Sequence, residues 1–264
     1  MAIAHSTDIR MIRDDEVAIN DIHLADLRMA LAQGWDDFLS KRGDLVFVGL
    51  IYPAVVILAA LYAMNMSILP LVFPLFSGAI LLGPAAASGF YELARRRERG
   101  MDTSWRHFFD VMRGPRVASL AAMTTVTALL FIAWIGVASF IYSMTLGSGE
   151  PWTVSSFLRA LFTTAEGWTM IVAGNLAGLV FAVVTLAISV ISFPMLVDRR
   201  VSWDVAARTS VRVAQKNPVT VAIWGLIVVA LLVLGALPAF VGLTVILPVL
   251  GYATWHLYTR AVVR

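Results

Sequence analysis

The stretch VTVAIWGLIVVALLVLGALPAFVGLTVILPVLGYATW, residues 219–255, runs for 37 residues without a charged side chain. As one straight helix it would extend about 55 Å at 1.5 Å per residue, well beyond the roughly 30 Å of a bilayer's hydrocarbon core. Pro238, in Gly235-Ala236-Leu237-Pro238, breaks it, because proline lacks an N–H and its ring clashes with the preceding helical turn. The stretch therefore reads as two antiparallel apolar helices joined by a tight turn.

The same reading applied upstream gives six runs long enough to span: Leu45 to Met64, Leu71 to Leu93, Val117 to Ser143, Thr169 to Leu196, Val219 to Leu237 and Val241 to Tyr258. Composition agrees. With 59% hydrophobic residues, 14% charged and a mean hydropathy of +0.82, the chain carries more apolar surface than a soluble core of 264 residues needs.

Of the twenty Lys and Arg residues, five precede the first run, seven lie between the second and third, five between the fourth and fifth, and two follow the sixth. Arg159 alone falls in the outer loops. The positive-inside bias then places both termini in the cytoplasm and favours six spans over five. The formal charge of +3 and pI near 9.5 are thus a topology signal, and no nucleic-acid partner is expected. Absence of cysteine excludes disulfides, thiolate nucleophiles and Cys-ligated metal sites. The first 44 residues are polar and acid-rich, with no signal peptide expected. Trp134, Tyr142, Trp152, Trp168, Trp255 and Tyr258 fall near span ends, where aromatic side chains anchor helix depth.

The runs pair off into a threefold pattern in which an amphipathic segment and a breaker precede each odd-numbered span. Leu24 to Lys41 carries Leu24, Leu27, Leu31, Trp35 and Phe38 at helical spacing, then Gly43. Trp105 to Arg113 carries Trp105, Phe108, Phe109 and Met112, then Gly114-Pro115; Trp203 to Lys216 carries Trp203, Ala206, Ala207, Val211 and Ala214, then Asn217-Pro218. On the third segment Asp204, Arg208, Arg212 and Lys216 form a stripe opposite the apolar face, with Ser202 as the expected N-cap. Such a helix suits the headgroup layer, or a protein partner docked on it. Each even-numbered span has one proline in its cytoplasmic half, Pro84, Pro194 and Pro248, predicting three matched kinks.

The expected fold is all-α: a polytopic membrane protein of six transmembrane helices, arranged as three parallel repeats of an amphipathic surface helix plus a helical hairpin. A mobile acidic arm occupies residues 1–20, and a single six-span domain residues 21–264, with repeats near 21–94, 95–196 and 197–264. Parallel repeats argue against the inverted-repeat sites common in transporters. Gly174 to Gly178 and Ala85 to Gly89 offer small residues at the spacing for close helix packing.

Few groups could carry chemistry. Glu92 closes the second run beside Arg95 and Arg96, suggesting an ion pair; Glu166 sits at the outer end of the fourth. His256 is the one histidine near the apolar phase, and its position between Trp255 and Tyr258 reads as interfacial. His5, His23 and His107 lack a second ligand at zinc spacing. No nucleophile, general base, phosphate loop or metal site emerges, and no cofactor is expected. The polar line Asn175, Thr185 and Ser189 is thin material for a transport site.

The run Ala25 to Phe38, together with Ser192-Phe193-Pro194-Met195-Leu196-Val197-Asp198-Arg199 and Leu247 to Tyr258, resembles the bacterial integral-membrane family known as domain of unknown function 2189, over nearly the whole chain from about Ile19. The resemblance implies an inner-membrane location and carries no activity or site residue with it. Some members of that family are labelled cytochrome c oxidase subunits. A haem-copper catalytic subunit needs several intramembrane histidines, whereas this chain offers His256 alone. The resulting expectation is a non-enzymatic scaffold, accessory subunit or assembly partner, possible in a respiratory complex. Membrane lipids and a membrane protein complex are its expected partners, with Trp35, Trp105, Trp203, Arg208, Arg212, Glu92 and His256 as the candidate interaction residues. A small permease or lipid-handling protein is the alternative.

Overall fold

A computed structural model describes residues 17–40, 69–147, 153–238 and 240–264; the expected span Leu45 to Met64 lies outside them. The described residues form helices: α1 (Leu24–Ser40), α2 (Val72–Ala79), α3 (Gly83–Ala86), α4 (Ser88–Glu98), a 3₁₀ helix (Trp105–Met112), α5 (Val117–Thr145), α6 (Val154–Thr163), α7 (Ala165–Ser189), α8 (Ser192–Asp198), α9 (Trp203–Lys216), α10 (Pro218–Ala236) and α11 (Leu243–Ala261).

Among the described residues, four helical rods are long and apolar enough to cross a membrane: Val72–Glu98, Val117–Thr145, Ala165–Asp198 and Pro218–Ala236. Their outward faces carry Leu129, Ile132 and Phe140 on α5, Leu176, Leu179 and Val183 on α7, and Leu226, Val233 and Leu234 on α10, all exposed. An unpartnered apolar belt of this extent has lipid as its natural solvent. α11 is absent from the four. It follows α10 after the expected turn, then loses its apolar exposure: from Val249 to Tyr258 the chain is buried in protein apart from partial exposure at Thr254 and His256.

The prolines act as expected in two rods out of three. Proline at position i disturbs the carbonyl of residue i−4. For Pro84 that residue is Ile80, where the helix tightens to 3₁₀ over Ile80–Leu82. For Pro194 it is Val190, where α7 stops and α8 takes over. Pro248, early in α11, leaves that helix continuous. Beyond each proline the chain runs into one shared core. Tyr91, Leu93, Phe193, Leu196, Trp255 and Tyr258 are almost completely buried there, against Leu27 and Ala30 of α1 and Val213 of α9. Each such side chain contributes about 1.5–3 kcal/mol by leaving water. The protein thus has a lipid-facing body and a charged, closely packed end.

The break after α7 is bridged by a side chain. Ser210 Oγ donates to the Ala187 carbonyl at 2.7 Å and accepts from Ile191 N–H at 3.2 Å, so a hydroxyl stands between the two partners of one helical hydrogen bond. The segments 18–20 and 261–263 meet at the same end of the molecule. Ile19 bridges Val262 antiparallel, Asn20 N–H donates to Ala261 O at 2.9 Å, and Val263 N–H donates to Ala18 O at 3.1 Å. Val17 to Asn20, assigned to the mobile arm from the sequence, are therefore paired with the C-terminal segment.

The amphipathic segments pack through only part of the faces expected, with Leu27, Phe38, Phe108 and Ala206 turned to the core. α1 buries Leu27, Ala30, Gly34, Asp37 and Phe38 while Leu24 and Trp35 stay exposed. A Cβ on Gly34 would lie 2.7 Å from Ala253 N, so glycine permits the close crossing of α1 and α11. The Trp105–Met112 segment is 3₁₀ rather than α-helical, and seats Phe108 edge-on against Phe90 at 4.9 Å over the bare Gly89 backbone. α9 buries Val205, Ala206, Thr209, Ser210 and Val213, which places it inside the core instead of flat on a headgroup layer. Ser202 caps no backbone N–H. Its hydroxyl serves the Asp204 carboxylate, which this bond and Arg208 hold below the usual range.

Three expected interfacial anchors are interior residues. Trp134 is buried in mid-helix and donates to Pro74 O at 2.8 Å, with Gly78 and Gly178 making room for its ring. Trp255 and Tyr258 are enclosed in the charged end because α1 covers α11 there. Of the Gly174–Gly178 pair, only Gly178 makes a close approach.

Candidate functional site

The charged end holds a pocket of ≈ 530 Å³ where α1, α4 and α11 converge, lined by Gln33, Asp37, Arg97, Glu98, His256 and Arg260 among others. Helical spacing projects Gln33 and Asp37 from one side of α1, and His256 and Arg260 from one side of α11. The Gly34–Ala253 crossing brings those two faces together. His256 Nε2 and Asp37 Oδ2 are 2.9 Å apart, and Arg97 Nε lies 3.0 Å from Asp37 Oδ1, so both oxygens of one buried carboxylate are engaged. Arg260 donates to Gln33 Oε1 at 2.8 Å and to His256 O at 3.0 Å.

Neighbouring charges are linked rather than scattered. Arg264 pairs with Glu98 and lies over the Trp255 ring, 5.9 Å from its centroid. Arg99 contacts Asp198 at 3.1 Å, and Tyr258 donates to the second Asp198 oxygen at 2.9 Å. Deeper in, Arg95 grips Glu92 with two bonds, of 2.6 and 2.9 Å, while Arg96 joins Glu92 at 3.0 Å to Asp110 at 2.8 Å. His107 lies between Asp110 and Asp102, at 2.6 and 3.1 Å. Bonds from Ser104 and Arg106 hold Asp102 below the usual carboxylate range, and the bond from His107 does the same for Asp110.

This arrangement can hold helices in register and recognise a polar group. Beside the His256–Asp37 pair the Thr259 hydroxyl donates to the His256 carbonyl at 2.9 Å. Among the described residues, no three His, Asp or Glu side chains form a metal-holding group.

The sequence candidates do not form one site. His256 lines the pocket, and Glu92 forms the ion pairs its spacing from Arg95 and Arg96 allows. Trp35, Trp105 and Trp203 are each more than 40% exposed, on three different elements. Arg208 pairs with Asp204, while Arg212 donates to Val17 O at 3.4 Å and Lys216 to Ile19 O at 3.1 Å. The basic stripe on α9 thus holds the N-terminal segment. Asp37 and Arg97 were not singled out in the sequence, and Asn217 was read only as a breaker. Asn217 accepts from Ile22 N–H at 2.9 Å and donates to Asn20 O and Val213 O. Its position before Pro218 signals a turn, but nothing local signals partners some 195 residues away.

The model of a family described as "Predicted integral membrane protein (DUF2189)" matches residues 72–198. Over that segment the chain is similar to DUF2189. The match takes in three of the four long apolar rods and the Ser192–Asp198 motif; the runs at Ala25 to Phe38 and Leu247 to Tyr258 lie outside it. No curated protein and no solved structure matches the chain. The matched family is described as one of integral membrane proteins, in keeping with the long apolar rods, and the pocket's outer walls, α1 and α11, come from beyond the matched segment.

Proposed function

We propose that the protein is a non-catalytic, six-span scaffold or assembly partner of a membrane complex, lying in the inner membrane of a bacterium with both termini in the cytoplasm. The observation that carries this reading is the charged end itself: most of its ionised groups are spent on one another across α1, α4, α8 and α11, which builds a rigid platform. Buried, mutually satisfied pairs of this kind serve conformational specificity more than net stability. Exposed Trp35, Trp105 and Trp203 on that platform are the contact residues, tryptophan being a favoured interface anchor. Three parallel repeats account for the recurrence of proline followed by a buried helix end at Pro84, Pro194 and Pro248. The basic clusters flanking the apolar runs support the orientation.

Affinity purification from native membranes tests the reading, with the wild type compared against Trp35→Ala, Trp105→Ala and Trp203→Ala. A stoichiometric copurifying membrane protein, retained about tenfold less by at least one variant, is expected. Identical recovery in all three would rule out the tryptophans as contacts.

A second reading, movement of a lipid or small polar solute, draws on Thr185, Ser192 and Thr244. Their hydroxyls are buried and have no hydrogen-bond partner. A water-accessible polar track through α7, α8 and α11, detected by thiol labelling of cysteines placed at these three positions, would favour it over the scaffold.

A further inference from the structure

Most of the charge at the packed end is matched, but at one junction of four arginines two, Arg116 and Arg200, have no ion pair among the described residues. Arg116 stands immediately before α5, and Arg200 two residues beyond α8, so both sit where a long apolar rod meets its polar boundary. Arg99, at the end of α4, reaches Asp198 at the end of α8; Arg95, one turn earlier, is buried on Glu92. These helix ends pack together, with Leu120 and Met123 of α5 in the same core as Leu93 and Leu196.

Among the described residues, the carboxylates paired with this group are Glu92 and Asp198. Glu92 is already shared with Arg96, and Asp198 also takes the Tyr258 hydroxyl and approaches Arg264 at 3.8 Å. Arg116 and Arg200 have no ion pair among the described residues, and Arg116 Nε is buried without a hydrogen-bond partner. Burial, with Arg95, Arg99 and Arg200 nearby, keeps the Arg116 pKa below its ordinary value, and Glu92 offsets this only in part. A cationic cluster at the hydrocarbon boundary with an unused buried donor calls for an anion.

We propose that Arg116 and Arg200, backed by Arg95 and Arg99, form a binding site for a phosphate group at the membrane boundary. The guanidinium forks match phosphate oxygens in pairs, and the site's depth corresponds to that of a phospholipid headgroup. A soluble phosphate-bearing molecule would offer the same chemistry from the water side.

The test uses the full-length protein, delipidated in a non-ionic detergent and titrated by native mass spectrometry with phosphatidylglycerol, phosphatidylcholine or inorganic phosphate. Arg116→Gln and Arg200→Gln are compared with Arg159→Gln, a control on the opposite end of the molecule. Each of the first two should weaken phosphatidylglycerol binding by about fivefold while the control leaves it unchanged. Preference for phosphatidylglycerol over both other probes assigns the site to an anionic lipid; inorganic phosphate binding with the same arginine dependence assigns it to a soluble phosphate compound. Equal binding by wild type, Arg116→Gln and Arg200→Gln, or an equal loss in Arg159→Gln, overturns the proposal. Should Arg116→Gln lose its monodisperse size-exclusion peak, the exposed Arg200→Gln decides alone.

Discussion

Ser210 shows how much one hydroxyl can control. Buried and wedged between Ile191 N–H and Ala187 O, it stabilises the α7–α8 break by satisfying both groups at once. Ser210→Ala leaves both without that partner, and the melting temperature of the purified protein should fall by the equivalent of about 1–3 kcal/mol. An unchanged melting temperature would mean that the helix closes over the gap. At Gly34 the constraint is steric instead of polar. A Cβ there meets Ala253 N, Ala253 Cβ and Val249 O within 2.8 Å, so Gly34→Ala should cost about 1–3 kcal/mol through overpacking. Gly83→Ala is the matched control, since a Cβ at Gly83 meets nothing within 4 Å. Neither role was legible in the sequence. Ser210 carries no local motif, and Gly34 looks like any glycine until α11 is laid across it.

Among the elements, the apolar rods were the readable part because length and hydropathy are local properties. The limits of α5 and α10 follow the runs Val117 to Ser143 and Val219 to Leu237 within a few residues. The amphipathic segments were harder. Their aromatic residues suggested one face, yet small and polar residues, Ala30, Gly34, Thr209 and Ser210, pack inward because close helix crossings need small side chains. The Trp105–Met112 helix has a further property set by its charges. Asp102 and Asp110 are both held below the ordinary carboxylate range, in the company of His107, Arg96, Arg106 and Arg113. Depressed carboxylates stabilise the fold above the unfolded value near pH 4, and that contribution is lost as pH falls through the folded values. A spin label on Met112→Cys should therefore be equally mobile at pH 7 and pH 5 and gain mobility only below about pH 4. Mobility already rising at pH 5 would assign the restraint to another group.

For the molecule as a whole, the proposed topology can be mapped cleanly because the chain has no cysteine of its own. Single cysteines at Met66, Gly147 and Ala239 should react with an impermeant thiol reagent from one side of the membrane, and those at Asp102, Gln215 and Val263 from the other. Labelling of Ala239→Cys from the same side as Val263→Cys would remove the last span. The pocket was invisible in the sequence for a reason of scale: His256 and Asp37 are 219 residues apart, so no local spacing links one to the other. Glu92 was legible because its partners are three and four residues away.

The pairing of Val17–Ile22 with Asn217 and Ala261–Val263 bears on biogenesis. α1 emerges from the ribosome long before α11, yet Leu27 and Ala30 find their cover only when α11 arrives. Until then an amphipathic helix waits beside the insertion machinery with its inner face uncovered. A nascent chain cut anywhere before Leu243 would keep that face open, so closure of the two ends reports that the membrane helices between them have been made. Surveillance proteases that recognise exposed apolar segments would have a signal that falls silent only on completion.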